Sequence, residues 1–140
     1  MVEITGSFSG AVVMQTAVGI PDQPLHAFVI ASVSGRHKSG DGYWDGAKLT
    51  YWGMGDLTAG AGKQSGYFQN EHANGETTFG RFDGEVTLAN LQSRIEGTWQ
   101  LTNGTGKFHG ITGGGKFTAY STDPITVHME WSGNYELAQT

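Results

Sequence analysis

Cysteine is absent from the 140 residues, which excludes a thiol nucleophile, a disulfide scaffold and a thiolate metal site. Basic residues are scarce and scattered, eight Lys and Arg against thirteen Asp and Glu for a net charge of -5. The clustered cations that neutralise phosphates are therefore missing, and nucleic-acid binding is excluded. No apolar run approaches the roughly 18–20 residues of a membrane-spanning helix. Met1-Val2-Glu3 lacks the basic and apolar regions of a signal peptide, so the chain as it stands is expected to be soluble and cytoplasmic, or exported if a signal has been removed. His-x-His and His-Glu-x-x-His spacings are both lacking among five histidines, so no metal is expected. There is no Gly-x-Ser-x-Gly elbow for a serine hydrolase, and Asp83 and Glu85 have no long carbohydrate cleft to serve.

Glycine is abundant instead: 23 of 140 residues, about double the usual share of roughly 7%. The glycines are spread along the chain with aromatics between them, as in a chain that bends often. No window carries apolar residues at helical spacing over three turns, whereas period-two alternation recurs. It predicts strands over 2–18, 27–33, 48–58, 66–73, a second hairpin arm to 88, 93–102, 116–121 and 125–137. Pro21 and Pro24 interrupt the pattern, and so does Ala59-Gly60-Ala61-Gly62. Asn74-Gly75 predicts a two-residue type I′ turn, which needs positive φ at both positions. These features predict a single all-β domain over 1–140, a closed antiparallel eight-stranded barrel of calycin type, with a β-sandwich as the alternative.

Gly104 to Phe117 reads Gly-Thr-Gly-Lys-Phe-His-Gly-Ile-Thr-Gly-Gly-Gly-Lys-Phe. Gly110-x-x-x-x-Gly115-Lys116 approaches a P-loop, but Phe117 stands where a magnesium-binding hydroxyl is needed, and a strand follows where a helix is needed. The stretch is a strand connection that turns Phe108 and Ile111 into the core. Gly-Thr-Gly-Lys-Phe-x-Gly-x-x-Gly over Gly104–Gly113 resembles the signature before the last strands of dirigent proteins and allene oxide cyclases. That resemblance implies an eight-stranded barrel, a small hydrophobic or phenolic substrate, no cofactor, and a homo-oligomer, a trimer in both families, with a dimer as the alternative.

An eight-stranded barrel is wide enough to be filled or to hold one small ligand. Phe28, Phe68, Phe82, Trp99, Trp131 and Tyr135 on apolar strand faces, with Trp44 beside the second strand, are candidate ligand-binding residues. His37, Asp41 and Asp45 lie within nine residues at what reads as the barrel mouth; the alternative is a solvated turn using Asp for local backbone bonds. His37, Asp45 and Tyr51 are the candidates for proton transfer. His72 is able to face inward with Phe68, whereas His128 and Glu130 share the outer face. Two functions stay open: a cofactor-independent isomerase or cyclase acting inside the barrel, and a lipocalin-like carrier or sensor of the same kind of molecule. A filled barrel would instead be an interaction module.

Overall fold

The computed structural model describes residues 1–90, 92–121 and 123–138. Eight strands run in chain order: β1 Val2–Gly19, β2 His26–Ser39, β3 Lys48–Thr58, β4 Ala61–Glu71, β5 Thr77–Ala89, β6 Gln92–Gly104, β7 Thr112–Ser121 and β8 Thr126–Glu136. Each pairs antiparallel with the next, and β8 returns to β1, closing the barrel. Closure leaves no unpaired sheet edge. Among the described residues no helix is long and apolar enough to cross a membrane.

Alternation decides which side chains enter. On β3, Leu49, Tyr51, Gly53 and Gly55 point in, while Trp52 and Met54 point out. On β8 the inward row holds Val127, Met129, Trp131, Gly133 and Tyr135; Ile125, at the head of the same alternation, is exposed because it lies before the strand. β2 is longer than its apolar run. It continues through Gly35 to Ser39, so His37 is a strand residue facing inward, not a group at the rim.

The two ends of the barrel differ. One carries the short hairpin turns, including Ala59-Gly60, where both residues have positive φ (53° and 81°). Positive φ at both positions is what a type I′ turn requires. At Asn74-Gly75 only the glycine has positive φ, because five residues bridge β4 and β5 there and Asn74 instead accepts the N–H of Glu76 (2.9 Å). The other end is plugged. The loop after β2 brings in Trp44, the β4–β5 loop brings in His72, and the Gly104–Phe117 stretch forms a short 3-10 turn, Gly106–Phe108. Phe108 is fully buried and Ile111 nearly so. Phe108 packs edge-on to Tyr43 and Trp44 and lies 4.6 Å from the His72 ring.

Inner-wall glycines accommodate rings. A Cβ on Gly133 would sit 2.5 Å from Cζ2 of Trp99, one on Gly6 would collide with the Trp131 ring, and one on Gly80 with the Phe68 ring. The outer wall has its own pattern. Register places Val18 beside Phe28, Ile30 beside Met54 and Trp52 beside Tyr67, all exposed by 41–69%.

Candidate functional site

A cavity occupies the barrel interior, with about 70 Å³ open to the centre of a water-sized sphere. One water needs about 10–15 Å³ by this measure, so the space corresponds to about five waters, or one small ring. Tyr51, Phe68, Phe82, Trp99, Phe117 and Trp131 form its aromatic walls. His37, Trp44 and Asn70, all buried, line it towards the plugged end, while half-buried Gln64, Ile95 and Met129 line it towards the hairpin turns. No acidic, Lys or Arg side chain lines it among the described residues.

A chain of polar groups runs beneath the aromatic walls, and its hydrogen-bond directions are fixed by its two ends. The indole N–H of Trp131 is only a donor, so Nδ1 of His37 accepts from it (3.1 Å). The neutral ring then carries its proton on Nε2, which donates to Oδ1 of Asn70 (2.7 Å). Asn70 Nδ2 donates to Oγ1 of Thr78 (3.2 Å), and Thr78 donates to Nε2 of His72 (3.0 Å). His72 Nδ1–H ends the chain on the backbone carbonyl of Tyr43 (2.7 Å). Burial lowers His37 to a pKa of about 4, more than its bond to Asn70 raises it. Burial also lowers His72, against the raising effects of Tyr43 and Asp41. Both rings are neutral at pH 7, with both nitrogens occupied.

Several residues singled out by sequence lie in the cavity wall: Tyr51, Trp44, Phe68, Phe82, Trp99 and Trp131, together with His37. Burial alone pushes the Tyr51 phenol far above its ordinary value, so it is a neutral hydroxyl at any physiological pH. Three placements differ from expectation. Phe28 is 44% exposed on the outer wall: the continuous run Ala27–Val33 hides its own alternation, and Val33, not Phe28, has the buried parity. Asp45 lies outside the barrel, its carboxylate accepting the Ser39 N–H (3.1 Å), which is the local turn role of an Asp in a Gly-rich loop. Tyr135 is buried but sits below the cavity, stacked against Trp44 (4.8 Å) with its hydroxyl donating to Asp41 (3.0 Å). Burial first, and then Asp41, push Tyr135 up to about 12.

Gln64 and Asn70 belong to the site and escaped the sequence reading. Both share the parity of Phe68 on β4, and Gln64 lies two residues before Gly66, where that strand was expected to begin. The signal was the same alternation, extended by one step towards the turn.

No family model matches the chain, and no curated protein matches it in sequence. One solved structure, a pterocarpan synthase dirigent protein, superposes with a TM-score of 0.53 over 94% of each chain at 13% identity. The chain has the dirigent-type fold. The resemblance carried by Gly104–Gly113 and the closed barrel of eight antiparallel strands agree on that architecture, so the barrel expected from sequence stands and the sandwich alternative falls.

Proposed function

We propose that this protein binds one small apolar or phenolic molecule inside the barrel. The observation that carries the reading is the cavity itself: aromatic walls and no acidic or basic side chain but neutral His37. Such walls gain by burying a ring, while a charged ligand would be stripped of water with no counter-charge to meet it. Saturable quenching of tryptophan emission by one class of a panel of phenolics, terpenoids and fatty acids tests it, since Trp44, Trp99 and Trp131 all border the space. A flat response to every class overturns it in favour of a filled interaction module.

Catalysis, where it occurs, is steered by shape. The fold neighbour is named a synthase, which supports a cyclase or isomerase reading in which the walls hold a reactive molecule in one geometry. His37 is poorly suited to carry a proton in this reading, because both its nitrogens are engaged and burial lowers its pKa to about 4; the Tyr51 hydroxyl and the Gln64 amide are wall groups suited to orient an oxygen. Incubating the ligand class found by titration, with chiral analysis of products, separates cyclase from carrier.

We also propose that the exposed apolar wall of β1–β4 packs against a second copy of this chain. Val18, Phe28, Ile30, Trp52, Met54 and Tyr67 leave 41–69% of their surfaces exposed, on the order of 600 Å² together from side chains of about 150–250 Å² for the aromatics. That is the upper end for a monomer's largest patch and approaches the roughly 800 Å² per partner of a stable interface. Sedimentation velocity of the wild type against Trp52→Lys tests this: a shift to monomer in the variant is expected, and a monomeric wild type overturns it.

A further inference from the structure

Gln64 is the anomaly of the cavity. Its Oε1 is buried and has no hydrogen-bond partner among the described residues, although buried side-chain oxygens are almost always paired. Gln64 pairs across the sheet with Gly55 on one side and Gly84 on the other, and its amide lies over Gly53, where a Cβ would come within 2.9 Å of Nε2. Gly53 thus makes room for one long polar side chain beside the aromatic walls. Had the barrel needed only filling, an apolar side chain there would avoid the desolvation of the amide.

We propose that Gln64 selects the ligand, pairing its amide with a hydroxyl on an otherwise apolar ring; this rests on the binding function proposed above. A hydroxyl both donates and accepts, so it satisfies the orphaned oxygen directly and meets Nε2 equally well if the amide is turned. A carboxylate can accept from Nε2 but cannot donate to Oε1, and it brings an unpaired charge into a cavity without a cation. A hydrocarbon ring fills the space and leaves the oxygen unpaired. The specificity therefore runs hydroxyl-bearing ring first, bare ring second and acid last.

Phenol, toluene and benzoate, matched in size, are the probes, titrated by calorimetry into the wild type, Gln64→Met, Gly53→Ala and Tyr51→Phe. The side-chain amide resonances of Gln64 are followed by NMR in the same titrations. Wild type is expected to prefer phenol over toluene by about tenfold or more, the scale set by leaving a buried polar group unpaired. Phenol should shift the Gln64 amide signal and toluene should not. Gln64→Met is expected to bind both within about threefold while unfolding no more easily than wild type. Gly53→Ala, which displaces the amide without removing it, should narrow the preference in the same direction.

Equal affinity for phenol and toluene in the wild type overturns the inference and leaves the binding function standing. A preference that survives Gln64→Met but not Tyr51→Phe overturns it in favour of the Tyr51 hydroxyl. Should Gln64→Met fail to fold, Gly53→Ala and the wild-type amide signal decide. Absence of binding by all three probes removes the pocket and the inference together.

Discussion

Trp131 donates its indole N–H to Nδ1 of His37 across 3.1 Å inside the barrel, a contact between residues 94 positions apart that joins β8 to β2 through β1. It commits His37 to a single neutral tautomer and directs the polar chain that follows through Asn70, Thr78 and His72. Protonating either ring breaks that order.

The first prediction is a pH dependence. His37 has an ordinary value of 6.5 that falls to about 4 in the folded protein, so between those values the unfolded chain binds the extra proton. Its contribution to stability is complete above pH 6.5 and is lost as pH falls towards 4, by about 3 kcal/mol in all. His72 shifts in the same direction. His26 shifts the opposite way, raised chiefly by its hydrogen bond to Asp22 and then by Asp56, so the readout is a difference. Melting temperatures at pH 7, 5.5 and 4 should converge between wild type and His37→Gln as pH falls.

A second prediction concerns the plug. Phe108 is fully enclosed by Tyr43, Trp44 and His72, and Phe108→Ala should cost about 3–5 kcal/mol, as do other large-to-small core changes. Urea unfolding followed by far-UV circular dichroism measures it. A loss below about 1 kcal/mol would mean the plug is not part of the cooperative core.

Gly133→Ala is the third. The added carbon would meet Cζ2 of Trp99 at 2.5 Å and press on the Gly114 carbonyl of the neighbouring strand. Overpacking of this kind costs about 1–3 kcal/mol. Because Trp99 lines the cavity, displacing its ring should lower ligand affinity along with stability.

The fourth goes the other way. Ala59 holds a φ of 53° ahead of Gly60, a left-handed conformation unfavourable for alanine by about 1–2 kcal/mol and tolerated by asparagine. Ala59→Asn should raise stability by about 0.5–1 kcal/mol, read as a higher urea midpoint with unchanged slope.

The barrel was legible because β5 from Arg81 and β8 alternate apolar with polar residues, and period two settles which side is buried wherever one face is polar. The failures have the same root. Ala27–Val33 is apolar at every step but Ser32, so composition could not tell Phe28 on the outside from Val33 on the inside. Ala59-Gly60 lacks the Asn-Gly signature, so the sequence does not mark where the turn ends, and Gln64 falls before the strand expected over 66–73 although β4 begins at Ala61. His37 and Asp45 seemed neighbours at a rim because β2 continues past its last apolar residue; one extra turn of the alternation carries His37 inward and leaves Asp45 in the loop. The polar chain itself had no sequence signal, since Trp131, His37 and Thr78 meet only once the barrel has closed.

Val2, at the start of β1, lies opposite Tyr135, near the end of β8. Every strand therefore has two partners, and the β1–β8 seam is a pairing like the other seven. A circular permutant joined across that seam by a short flexible linker and reopened between Ala59 and Gly60 would retain all eight strand pairings. Its new ends would emerge at the hairpin-turn end, away from the Phe108 plug, where a fused reporter leaves the buried end undisturbed.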